Sequence, residues 1–226
     1  MLYFSGEIDK AIDELERSKG MSVNINNVAN QGSMYFCKGN ILKAEQNYLT
    51  LNEISGPSAI NENFLGVISF AKEVYDSAVH YFESSLEKMQ ADGSGGLYLA
   101  WINLADGYFA KGNFTKGKDT YQHAIILADQ YRLKGENDNN IEAHIFYSNL
   151  KALLTVNPAI DENEKLSYVT QLHAIAEKTT DLDALVRVML SWVLLNEIET
   201  ARPIFESFIS TCKGYASYPL LKKYFN

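Results

Sequence analysis

A reaction needs a nucleophile, a base or a set of metal ligands held at short range, so the side chains able to supply these come first. Four histidines occur: His80, His123, His144 and His173. Their successive gaps of 43, 21 and 29 residues leave no His-x3-His pair of the kind that grips a metal from one helix face. His80 and His123 read as structural or surface groups. Cys37 and Cys212 stand 175 residues apart, with no CxxC spacing and no neighbouring His and acid to activate a thiolate. They read as inert buried or half-buried thiols, in keeping with a reducing compartment. Gly93-Ser-Gly-Gly96 lacks the following Lys-Ser/Thr of a phosphate loop. Glu136 to Asn140 and Asp161 to Glu164 look like pieces of a calcium loop but lack its glycine and its twelfth-position acid. Asn113-Phe-Thr115 is a glycosylation sequon placed in a tight turn, where occupancy is not expected. The expectation is a protein that is not an enzyme and holds no metal and no cofactor.

Composition narrows the class further. The chain has 226 residues, 46% hydrophobic and 21% charged, which suits a globular domain and not a disordered tail. Twenty basic against 28 acidic residues give a net charge of -8. The longest basic feature is Lys222-Lys223, so direct nucleic-acid binding, which needs a positive face, is not expected. No run approaches 18 consecutive apolar residues, so membrane insertion is not expected. No secretory leader is visible at Met1 to Gly6, and the expected location is cytoplasmic, or nuclear.

Four prolines and long apolar-periodic runs point to an all-α chain. Helices are expected near 7–18, 23–37, 41–52, 59–71, 75–90, 97–111, 115–132, 140–154, 161–178, 182–195, 198–211 and 217–224. Turns are expected at Lys38-Gly39-Asn40, Gly56-Pro57, Gly93 to Gly96, Lys111-Gly112-Asn113, Gly135 to Asn140 and Asn157-Pro158. Pro203 is expected in the first turn or two of its helix, where its missing N–H matters least.

The helical segments repeat. Trp101, Leu104, Ala105, Tyr108, Gly112, Phe114, Tyr121 and Ala124 fill eight of nine signature positions of one pattern, and Gly117 stands where alanine is usual. Gly32, Tyr35, Gly39, Ile41, Ala44 and Tyr48 follow the same frame, as do Leu65, Gly66, Tyr75, Ala78 and Phe82, and then Trp192, Ile198, Ala201, Phe205 and Phe208. In its register the chain resembles the tetratricopeptide repeat family, whose period of about 34 residues would divide 226 into about 6.6 units. The resemblance implies a right-handed α-α superhelix, a solenoid of about six antiparallel helix pairs in one domain. Units would span 1–20, 21–57, 58–92, 97–134, 139–178 and 182–213, followed by a C-terminal cap at 214–226. Small residues at frame positions 8 and 20 would let helices approach closely, and the aromatic at 24 would fill the gap. Gly6, Ile8 and Ala11 begin midway through the frame. Residues 7–18 therefore read as the open end of a longer solenoid, as a flank covered by another chain, or as a simple capping helix.

The same resemblance implies where a partner would sit. The concave-face positions fall on Asn26, Asn30 and Ser33, on Asn63, Phe64 and Val67, on Asn103 and Asp106, and on Arg187. Asn30 and Asn103 hold the position where similar proteins use an amide to grip a peptide backbone. Almost no base precedes Arg187 on this face, which argues against a carboxylate clamp. Phe36, Phe64, Phe70 and Phe109 serve either as groove anchors or as inter-repeat core. The expected function is a non-catalytic protein–protein interaction scaffold that binds a protein or peptide partner in the groove or at the open N-terminal end, with homo- or hetero-oligomers formed there. The alternative is a peptide-sensing regulatory domain of a larger regulator.

Overall fold

The computed structural model describes residues 8–18, 25–91, 97–134, 139–179 and 181–225. Among these it is all-helical: α1 (Ile8–Ser18), α2 (Ile25–Cys37), α3 (Ile41–Ser55), α4 (Ala59–Ala71), α5 (Tyr75–Ala91), α6 (Tyr98–Ala110), α7 (Phe114–Leu133), α8 (Asn139–Val156), α9 (Glu162–Ala176), α10 (Leu182–Leu194), α11 (Ile198–Thr211), a 3₁₀ turn (Lys213–Ser217) and α12 (Pro219–Phe225). The glycine-rich loop at 93–96, most of the 135–140 turn and the Leu2 to Gly6 stretch lie outside the described residues.

Four of the turns between helices share one backbone geometry. The residues at their centres have positive φ: Gly39 (77°), Glu73 (62°), Gly112 (76°) and Asn196 (61°). The following N–H then returns to a carbonyl five residues back, Asn40 to Tyr35, Val74 to Ser69, Asn113 to Tyr108 and Glu197 to Trp192. This closes the last turn of α2, α4, α6 and α10. Asn40 and Asn113 next cap α3 and α7 by accepting from the Lys43 and Lys116 N–H groups at 3.2 and 3.4 Å. The repeat is thus written in the backbone as well as in the side chains, even where Glu73 and Asn196 replace glycine.

Neighbouring helices pack in pairs, most closely α2 with α3, α4 with α5 and α6 with α7. Missing side chains permit this. A Cβ on Gly32 would stand 2.7 Å from the Tyr48 ring, and one on Gly66 only 2.4 Å from the Phe82 ring. Ala44, Ala78 and Ala201 are fully buried at the crossings, as the small-residue register expects. The α8–α9 pair is looser, and Leu172 alone of α9 is buried. Pro203 is the sixth residue of α11, past the first turn. That is within the first two turns, as expected, and the missing N–H there gives up a single bond, to the Glu199 carbonyl.

The chain's end comes back to its beginning. Helix α10 packs on α8, and the 3₁₀ turn, unforeseen in the sequence, lies on α2 and α4. Lys222 on α12 pairs with Glu73, 149 residues earlier, at 2.9 Å. Cys37 at the end of α2 is bonded to Cys212 at the end of α11. This overturns the reading of two inert free thiols. A separation of 175 residues says nothing against contact when helical layers bring the two ends together.

Candidate functional site

Helices α2, α4, α6 and α10 carry the positions selected for a partner, α8 packs beside them, and the polar groups there bond mainly to one another. Asp106 on α6 is the hub. Its Oδ2 accepts from Arg187 Nη1 at 2.5 Å, and its Oδ1 accepts from the Tyr147 hydroxyl at 2.6 Å and from the Tyr121 hydroxyl. Arg187 Nη2 donates to Asn103 Oδ1 at 2.8 Å, and Asn103 Nδ2 donates onward to Asn63 Oδ1 at 3.3 Å. The Arg187 guanidinium also lies 5.0 Å from the Tyr147 ring centroid.

Burial and this pairing set the protonation states. Burial works against the charge on Arg187, but Asp106 and then Tyr147 outweigh it and hold the guanidinium protonated. Burial, reinforced by the Asp106 carboxylate, pushes the Tyr121 and Tyr147 hydroxyls well above the ordinary tyrosine range. His144, on α8 beside Tyr98, is pushed down to about 3, first by burial and then by Arg187. It is neutral and its Nδ1 has no hydrogen-bond partner. An ion pair of this burial sits in a medium where each charge depends on the other.

The sequence-selected residues divide into three groups. Asn63, Phe64, Val67, Asn103 and Arg187 line one small cavity of about 110 Å³, with Asp106 bonded to Arg187 beside it. Ser33 is half-buried and shares a hydrogen bond of 2.7 Å with the Tyr48 hydroxyl, whose ring stacks on Phe64 at 4.8 Å. Asn26 and Asn30 are exposed and lie outside that cavity. All four phenylalanines weighed as anchor or core reach a cavity wall; Phe36 and Phe109 are buried, and Phe64 and Phe70 are half-buried.

The chain's own C-terminal segment covers this face. Tyr215 meets Phe36 edge-on at 5.3 Å and gives its hydroxyl hydrogen to Asp183, and Tyr218 meets Phe70 at 5.6 Å. Gly214 lies so close to α2 that a Cβ would come within 2.3 Å of the Phe36 carbonyl oxygen. Sequence reasoning missed these tyrosines, and also Tyr121, Tyr147 and Lys151. One signal was present: Tyr121 occupies an apolar packing position yet carries a hydroxyl, which when buried demands an acceptor. Its acceptor, Asp106, comes from the inner face of the preceding helix.

Among the described residues, no three His, Cys, Asp or Glu side chains gather as a metal set, and no helix is long and apolar enough to cross a membrane. No family model matches the chain, and no curated protein matches it.

Proposed function

We propose that this chain is a non-catalytic protein-binding scaffold, a right-handed tetratricopeptide-like superhelix whose concave face takes a polypeptide segment with aromatic anchors. The observation that carries this reading is the occupant already there. Residues 213–218 lie on α2 and α4, with Tyr215 and Tyr218 against Phe36 and Phe70. A surface that accepts two tyrosines from its own chain has the apolar walls and amide groups to accept them from another. Asn63, Asn103 and Arg187 are the polar groups at that surface, and Asn26 and Asn30 extend it along α2.

A second reading, a peptide-sensing regulatory domain, is favoured by the ties between the ends. The Cys37–Cys212 bond and the Lys222–Glu73 pair hold the covering segment to the first two helix pairs. A peptide that displaced the segment would loosen the second of these ties and so change the spacing of the helix pairs.

The test uses the full chain and a fluorescent peptide of residues 213–225. In the wild type the tethered segment competes at high effective concentration, so little peptide binds. Tyr215→Ala/Tyr218→Ala frees the face, and saturable binding by anisotropy is expected, weakened further by Asn103→Ala. Equal binding to wild type and double variant, or binding to neither, refutes the reading.

A further inference from the structure

A second cavity, of about 390 Å³, opens where the C-terminal ends of α4 and α6 meet α8 and α12. Six rings stand around it: Phe70, Tyr75, Phe109, Phe114, Tyr147 and Tyr218. Its volume falls in the range of small-molecule sites, and its walls suit a flat apolar body.

One charged group in this wall is not matched by the protein. Lys151 on α8 is half-buried, and its ammonium lies 6.0 and 5.8 Å from the Phe109 and Tyr147 ring centroids. Among the described residues it makes no ion pair and no hydrogen bond through that nitrogen. The one carboxylate among the described wall residues, Asp106, already takes Arg187 and two tyrosine hydroxyls. The oxygens of Asp106 are therefore engaged before Lys151 reaches them, and Asp183, engaged by Tyr215 and near Arg187, lies outside this wall, as Arg187 does. Burial holds Lys151 below the ordinary lysine value, with Asp106 opposing and Arg187 adding to that effect. An unmatched cation in an aromatic cavity is electrostatically incomplete, and an anion attached to an apolar ring completes it.

We propose that this cavity is a binding site for an aryl carboxylate, with the carboxylate paired to Lys151 and the ring held among the six aromatic side chains. The exposed Lys223 at the α12 side adds positive potential at the entrance. A free aromatic acid and the C-terminal carboxylate of a peptide ending in an aromatic residue share this chemistry. The site shares Phe70 and Tyr218 with the face covered by residues 213–218 but takes its charge from Lys151 on α8, and it does not depend on the function proposed above.

The test is calorimetric titration of the full chain at pH 7 with 4-phenylbutyrate and with the uncharged 4-phenylbutanol. The acid is expected to bind one to one and at least tenfold more tightly than the alcohol, a ratio that corresponds to about 1.4 kcal/mol. Lys151→Met, which keeps the side-chain volume, is expected to bring the acid down to the alcohol's affinity. Should that variant fail to fold, acetylation of Lys151 in the wild type, followed by mass spectrometry, gives the same answer. Saturating 4-phenylbutyrate slows that acetylation and 4-phenylbutanol does not. A parallel arm compares the tripeptide Ala-Leu-Phe with its C-terminal amide. Tripeptide binding that depends on both the free carboxylate and Lys151 assigns the site to a chain end, and binding of 4-phenylbutyrate alone assigns it to a free acid. Equal affinity for acid and alcohol, unchanged affinity in Lys151→Met, unprotected Lys151, or no binding in either arm overturns the proposal.

Discussion

Replacing Asp106 with alanine is expected to destabilise the fold more than any other polar substitution on the inner face. Asp106 and Arg187 have side-chain exposures of 7% and 6%, and their contact is 2.5 Å. Removing one partner of a buried pair leaves the other charge uncompensated and costs about 3–5 kcal/mol. The Tyr121 and Tyr147 hydroxyls lose their acceptor at the same time, and each buried orphan adds roughly 1–3 kcal/mol where it finds no new partner. The sum rivals the whole stability of an ordinary domain, about 5–15 kcal/mol. Asp106→Leu combined with Arg187→Met removes both charges and keeps the volume, so the double variant is expected to be more stable than Asp106→Ala alone. The coupling between the two positions is expected to be about 2 kcal/mol or more. The assay is urea unfolding followed by helical circular dichroism at pH 7, with the disulfide intact and the slopes compared among variants. A cost below about 1 kcal/mol for Asp106→Ala, or single-site effects at 106 and 187 that simply add, refutes the view of this cluster as a mutually dependent buried network.

Reduction of Cys37–Cys212 frees a loop of 175 residues, and loop-closure entropy puts the loss near roughly 5 kcal/mol as a ceiling; superimposable urea curves with and without a phosphine reductant would sink this expectation. His144 has its folded-state pKa lowered to about 3. Between that value and the unfolded value near 6.5 the unfolded chain binds the extra proton, so this group makes stability fall on acidification by up to about 1.4 kcal/mol per pH unit. His144→Phe is expected to flatten the pH 4–6.5 part of a melting-temperature profile, and an unchanged profile contradicts the assignment. Gly112→Ala meets no atom within 4 Å and is expected to cost only the left-handed backbone term, about 1 kcal/mol. Gly66→Ala drives a methyl into the Phe82 ring and is expected to cost more, about 2–3 kcal/mol; the reverse order in chemical denaturation would show the α4–α5 contact to be softer than its geometry.

Local physics was legible before any coordinates. Apolar period placed all twelve helices to within three residues at each end, while the 3₁₀ turn before α12 left no mark in the pattern. Gly39 and Gly112 announced their turns because glycine tolerates positive φ. Gly32, Gly66 and Ala44 announced close helix approach because nothing larger fits under Tyr48 and Phe82. Glu73 and Asn196 hid the same turn, since neither residue type demands it. The candidate face was legible in its membership but not in its state. Asn103, Asp106 and Arg187 were selected as separate groove positions, and their partnership was invisible because Arg187 stands 81 residues from Asp106.

What the amino-acid order determined by itself was therefore everything decided within one helix pair: which segments are helical, where they turn, and which small residues let them touch. These outcomes rest on hydrogen bonds and contacts a few residues apart, and the residue types that permit them are few. Tertiary structure alone decided the Cys37–Cys212 bond, Tyr215 and Tyr218 seated against Phe36 on α2 and Phe70 on α4, and the Lys151 ammonium left without an anion among the described residues. Each depends on which helices far apart in the sequence come to pack together, as α10 does on α8 and the 3₁₀ turn does on α2 and α4. A sequence pattern that specifies each step does not by itself specify where the steps lead.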